Sequence, residues 1–246
     1  PGMFHVKDQG TIIEDTHTDP VLQDTELNLG EQAAKTIETV RYGVLKACTN
    51  KFYTNGTVRT SVNTAISLTH QRKITRALAR QNADLITSVI RSTPNFNTEN
   101  VEASFIALCH TDCKTDVRAM AGYLTPKDYG SITPYENEVG GVEDVRYLSS
   151  NLYTPYADAG GVHGTMISTT GTSADVYPYI YIARNFYAIS ALKGKYAITP
   201  MVLNPKPAPG DPLGQRGSVA WKTMQGAVIL NDLWGAVLEA SVVELT

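Results

Sequence analysis

The chain has 246 residues, 42% of them apolar and 18% charged, with a formal net charge of −3. That length and balance support a sizeable hydrophobic core in one large or two modest domains. They exclude a disordered chain and supply no global argument for nucleic-acid recognition. Cys48, Cys109 and Cys113 cannot all pair with one another, which fits a reducing compartment rather than a disulfide scaffold. No apolar run approaches the roughly 18 residues of a membrane helix, and no secretory signal is visible.

The chain opens Pro1-Gly2-Met3-Phe4, which implies that an N-terminal portion is absent. Residues 3–14 have the character of short strand material with a glycine break. Asp19-Pro20 then signals a helix start, with Asp as the cap and Pro at the first helical position. Ala33, Ile37, Val40, Val44 and Ala47 recur at three- and four-residue steps, which predicts a long helix to about Cys48 with an inward apolar stripe. Asn55-Gly56 marks a turn, and with no secretory signal this reading outranks the overlapping Asn55-Gly56-Thr57 glycosylation sequon.

A second helix is predicted from about Ser61 to Gln81, with Val62, Ala65, Ile66, Ile74, Ala77 and Leu78 inward and Asn82 as its C-terminal cap. Residues 103–110 form a short buried strand, followed by a brief helix that carries Val117 and Met120. From about 122 to 174 the chain is rich in Gly, Ser, Thr, Tyr and Pro, with short strands such as DVRYLSS. In DVYPYIYIA, Val176, Pro178, Ile180 and Ile182 alternate with Tyr177, Tyr179 and Tyr181. Both faces of that strand are apolar or aromatic, so both are expected to be covered. Two further β segments follow the run NPKPAPG, split by an expected hairpin turn at Asn231-Asp232. Thirteen tyrosines against five phenylalanines favour half-exposed surfaces and interfaces. The order of elements is that of an α+β fold.

Catalytic templates find little support. DPLGQRGSVAWK (211–222) holds glycines and cations, but Gly217 is followed by Ser218-Val219 and then by strand. A phosphate loop needs Gly-Lys-[Ser/Thr] opening a helix. Cys109-His110-Thr111-Asp112-Cys113 resembles half of a metal site, yet Cys48 and the remaining histidines supply no second pair, and a buried thiol is the ordinary outcome for Cys109. Glu136/Glu138 and Glu143/Asp144 fall in a polar, glycine-containing stretch and are expected to be solvated. Arg72, Arg76 and Arg80 recur at four-residue steps beside Lys73. Their stripe suits solvent or an acidic neighbouring subunit better than phosphates.

The block DPLGQRGSVAWKTMQGAVILNDLW (211–234) resembles the C-terminal signature of the N4-type family of tailed-phage major capsid proteins. DPVLQDTELNLGEQAAKTIETV (19–40), FIALCHTDCKTDVRAM (105–120) and DVYPYIYIARNFYAI (175–189) are similar to further blocks of that family, in the same order. The resemblance implies a Hong Kong 97-type capsid fold, with a spine helix packed on a β-sheet in a peripheral domain plus an axial domain around the five- and six-fold axes. It maps residues 1–121 to an extended-loop remnant, the spine helix and the first part of the peripheral domain. Residues 122–189 map mostly to the axial domain, and 190–246 complete the peripheral domain.

The implied role is structural, not enzymatic. It is a major capsid protein that self-assembles, through pentamers and hexamers, into an icosahedral shell around double-stranded DNA, without cofactors or membrane. The implied location is the virion, assembled in the host bacterial cytoplasm, with decoration, portal and scaffolding proteins as further partners. An encapsulin-like nanocompartment shell is the nearer alternative; a metal-dependent enzyme using Cys109 and Cys113 is the remote one. Candidate subunit contacts are Gln215 and Arg216, at the tip of a loop, with Arg72, Arg76 and Arg80. Candidate core residues are Trp221, Val40, Val44 and Ile229.

Overall fold

A computed structural model of the chain describes residues 3–7, 21–87, 102–129, 134–190, 198–203, 206–207, 209, 212 and 216–245. The expected cap at Asp19-Pro20 lies outside them. The chain forms two compact units, one of residues 1–41 and 189–227, the other of residues 42–188 and 228–246.

In the first unit, β1 (Met3–Lys7), β10 (Arg216–Lys222) and β9 (Thr199–Leu203) form an antiparallel sheet in the order β1-β10-β9. The helix α1 (Val21–Lys46) supplies this unit with its residues up to Arg41. Leu29 and Ala33, one turn apart, bury against Val219 and Trp221, which sit two apart on one face of β10. Helical and strand periodicity thus meet in one small core.

Val40 departs from the expected stripe and is 54% exposed. At about 100° per residue it lies on the same side of an ideal helix as Leu29, Ala33 and Ile37. The cluster that covers this side reaches Leu29 and Ala33 only. From Tyr42 onward the helix buries a different side, with Tyr42 and Leu45 packed into the second unit's core. Val44 is consequently half-buried and Ala47 exposed.

The second unit is built on a mixed seven-stranded sheet ordered β2-β12-β7-β3-β6-β5-β4. Its strands are β2 (Lys51–Tyr53), β3 (Phe105–Cys109), β4 (Tyr123–Leu124), β5 (Glu138–Val142), β6 (Val145–Ser149), β7 (Tyr177–Ile182) and β12 (Gly235–Ala240). They come from all three of the segments outlined from sequence. The pairs β2–β12 and β3–β6 are parallel, and the others antiparallel. A separate pair joins β8 (Tyr187–Ile189) to β11 (Ala227–Ile229).

Both faces of β7 are covered, as the double-sided pattern predicts. Tyr177, Tyr179 and Tyr181 pack with Phe105, Ala107, Leu238 and the inward side chains Ile74 and Leu78 of α2 (Leu68–Arg80). The same cluster holds Val117 of α3 (Lys114–Arg118) and Met120 just beyond it. Ile180 and Ile182 face the opposite cluster, with Tyr42, Leu45, Cys48, Phe186 and Val237; Ile229 packs against it half-buried. Gly235 is required where β12 begins, because a Cβ there would lie 2.2 Å from the Phe186 ring.

Three expectations are corrected here. The second helix begins at Leu68 rather than Ser61, because the backbone before it bonds elsewhere. Gly161 donates to the Val62 carbonyl (2.9 Å) and Ser241 to that of Thr64 (3.1 Å), so those carbonyls are lost to a helix. Its end follows expectation. Asn82 takes φ +51°, and the Asn82 and Ala83 amides reach back to the Ala79 and Leu78 carbonyls, a Schellman closure.

Asn231-Asp232 is not a hairpin. The Asn231 side chain accepts from the Leu233 amide and starts a 3-10 turn, after which β12 joins β7 and β2 while β11 stays with β8. Finally, the tyrosine excess does not mark a surface: Tyr129 and Tyr147 are core residues, as are Tyr177, Tyr179 and Tyr181, which the double-sided strand pattern already placed under cover. Tyr147 shows how such burial is compensated. Its hydroxyl donates to Gln71 Oε1 (2.8 Å) and lies 3.0 Å from the Tyr181 hydroxyl, while Gln71 Nε2 donates to the Val142 carbonyl (2.7 Å).

Candidate functional site

The cysteine segment is the first place to test for chemistry. Cys109 ends β3 and Cys113 closes the 3-10 turn that follows, both without solvent exposure. Burial, and then the hydrogen bond to Cys109, push the Cys113 thiol well above its ordinary range. Burial likewise pushes Cys48 up to about 11. A reactive or metal-bound cysteine needs the opposite environment, one that favours thiolate. His110 is occupied locally, its Nδ1 accepting the Asp112 amide at 3.2 Å. Among the described residues no group of three or more His, Cys, Asp or Glu side chains is placed to hold a metal ion.

The charged groups that do converge were not recognised from sequence. Glu239 lies in β12 with no exposure of its side chain. It accepts two hydrogen bonds of 2.7 Å from Arg59 Nε and Nη2, with Lys51 Nζ at 4.0 Å. The Arg59 guanidinium lies 3.5 Å from the centre of the Tyr156 ring, and Lys46 Nζ lies 3.6 Å from the same ring. Burial first, then repulsion from Arg59, hold the Lys46 ammonium below its usual range.

Glu138 is the second case. Expected to be solvated, it has no side-chain exposure, and Arg146 beside it is 4% exposed. Arg146 donates to both of its oxygens at 2.7 and 2.6 Å, the Tyr129 hydroxyl adds a bond of 2.7 Å, and the Tyr135 amide one of 2.9 Å. The signal was present in the sequence: a lone Glu inside the apolar run GAVLEASVV, or a lone Arg in VRYL, requires a partner once buried. What local pattern lacks is the partner's identity, since Arg59 and Glu239 are 180 residues apart.

The candidate contact residues do not form one cluster. Gln215 lies outside the described residues, and Arg216 opens β10 opposite Lys7. Arg72 is bonded within the subunit, its guanidinium forked onto Glu143 with bonds from Nε at 3.1 and 3.0 Å and a further one from Nη2. That pair holds the Glu143 carboxyl below the usual range. Arg76 and Arg80, one and two turns further along α2, are exposed and form no ion pair among the described residues. Trp221 is 6% exposed, within the core of the first unit. Among the described residues no helix is long and apolar enough to cross a membrane.

This mixed α+β arrangement is the Hong Kong 97-type capsid fold, shared with solved structures along nearly the whole chain. The capsid of Ralstonia phage GP4 matches at a TM-score of 0.68 and 12% identity, over 100% of this chain and 74% of that one. The head structure of Helicobacter pylori bacteriophage KHP40 matches at 0.60 and 12%, over 98% and 73%. The SrpI encapsulin complex of Synechococcus elongatus matches at 0.50 and 12%, over 99% and 76%. No family model matches the chain, and no curated protein sequence does.

Proposed function

We propose that this chain is the major capsid protein of a tailed bacteriophage, a structural subunit that assembles through pentamers and hexamers into an icosahedral shell around double-stranded DNA. The observation that carries this reading is the fold likeness to phage capsids over the full length of the chain, at a higher TM-score than the encapsulin likeness. The ordered sequence blocks that resemble the N4-type family support it independently.

A shell subunit needs repeated contacts around symmetry axes rather than a catalytic constellation. Each contact can be weak, because several neighbours bind each subunit at once. In this reading residues 122–189 belong mostly to the axial domain. Residues 1–121, with an extended-loop remnant, the spine helix α1 and the first part of the peripheral domain, are joined by residues 190–246, which complete that domain. Gln215, Arg216, Arg76 and Arg80 are contact candidates, and portal, scaffolding and decoration proteins are further partners in a virion built in the bacterial cytoplasm. Net charge −3 is compatible with enclosing DNA without sequence recognition, since counterions screen the phosphates.

The test is electron microscopy of the purified full-length protein across a range of salt. Closed shells, or rings of five and six subunits, are expected. Monomers alone under every condition would overturn the reading. A nanocompartment would instead yield shells that purify with a stoichiometric enzyme cargo.

A further inference from the structure

The second unit contains a cavity of about 370 Å³ beside the first turn of α2. Ile66, Leu68, Ala119, Met120 and Val243 give it mainly apolar walls, and among the described residues Asp116 is the one ionisable side chain that lines it. Asp116 is 8% exposed, and among the described residues its Oδ2 accepts a single long hydrogen bond, 3.3 Å from the Val243 amide. Among the described residues it has no ion-pair partner. Burial accordingly pushes its carboxyl above the ordinary range. A buried carboxyl with one weak donor lacks what Glu138 and Glu239 both have, a forked arginine.

The missing group exists elsewhere on the same chain. Arg76 and Arg80 are exposed and form no ion pair among the described residues, whereas Arg72 on the same stripe is taken by Glu143. Leu68 and Arg80 are twelve residues apart, about 18 Å along a helix. One end of α2 thus borders an unfilled acceptor while the other presents unfilled donors. Arg76 and Arg80 lie eight and twelve residues past Leu68, about 12 and 18 Å along the helix and further than an arginine side chain reaches, so within a subunit the two patches stay apart. They meet when identical subunits pack head to tail, the arrangement that closes into rings.

We propose that the Asp116 cavity is an inter-subunit socket that receives a guanidinium from the Arg76–Arg80 stripe of a second copy of this chain. The apolar walls suit the methylene stem of arginine, and the carboxyl at the cavity accepts the planar fork, which a lysine would match less well. The socket rests on the shell-forming reading above, because it needs a neighbour in a fixed head-to-tail relation.

The experiment compares shell or ring yield by sedimentation for wild type, Asp116→Asn, Arg76→Gln/Arg80→Gln and the triple variant, with subunit melting measured in parallel. Asp116→Asn and the double arginine variant are each expected to lower the yield about tenfold or more, the order for a charge-assisted contact. The triple variant should fall no further, since all three changes remove one interaction. Subunit melting should be unchanged or higher in Asp116→Asn. A second route that leaves Asp116 untouched is Ala119→Phe, which fills the cavity mouth from an exposed position and should cost the same yield. Wild-type yields in Asp116→Asn and Ala119→Phe, or losses that multiply in the triple variant, would overturn the socket alone. A wild-type protein that never assembles would overturn the shell reading and the socket with it.

Discussion

Arg146→Met is the sharpest test of how the second unit is held together. The substitution keeps much of the stem but removes the guanidinium from Glu138, whose side chain has no exposure. Glu138 is then left with the Tyr129 hydroxyl and the Tyr135 amide as neutral donors, at 2.7 and 2.9 Å. Breaking a buried ion pair from one side costs about 3–5 kcal/mol, because the remaining charge is desolvated without compensation. At about 2–4 °C per kcal/mol for a domain of this size, the melting temperature should fall by roughly 6–20 °C. The chain's two tryptophans lie in different units, so Trp221→Phe leaves Trp234 as a fluorescent reporter of this one. Glu138→Gln/Arg146→Met should recover most of the loss, since glutamine removes the charge, its Oε1 can still accept from the Tyr135 amide, and its Nε2 can donate to the Tyr129 hydroxyl. A fall of less than about 3 °C for Arg146→Met, or a double variant no better than the single, would refute the assignment of that stability to the pair.

Trp221→Ala should destabilise the first unit by about 3–5 kcal/mol, because the indole fills the contact with Leu29, Ala33 and Val219; the check is a lower melting temperature of that unit, and no change would count against the packing described. Asp144 gives a pH-dependent prediction. Burial, then the charges of Glu143 and Glu102, raise its folded-state pKa, so its contribution is fully present below the unfolded value of about 3.9 and is lost as pH rises through the folded value. Asp144→Asn should therefore raise the urea midpoint at about pH 7 and leave it unchanged at about pH 3; a midpoint that drops at neutral pH would reverse the sign of the argument.

Residues near one another in sequence were legible to the extent that the covalent chain decides them. The long helix, the buried strand at Phe105–Cys109, the double-covered strand Tyr177–Ile182 and the Asn82 turn all follow from period, propensity or a backbone φ that asparagine tolerates. The α+β class followed from element order, and the capsid-type fold from long blocks met in the right sequence. The candidate site was less legible. Arg72 and Arg76 look alike in sequence, four residues apart on one stripe, yet one is forked onto Glu143 and the other is free of any ion pair among the described residues.

What the sequence by itself determined is which side chains can share a face and which buried groups must find partners. Leu29, Ala33 and Val40 share one side of α1 by helical geometry, and Glu239 in an apolar strand demands a cation. Only the tertiary structure decided that Val219 and Trp221 cover the first two and stop short of the third, and that Arg59, 180 residues away, reaches Glu239. The reason is physical. Periodicity is set by bond geometry within a few residues, whereas cover and charge pairing depend on which distant surfaces the folded chain brings together.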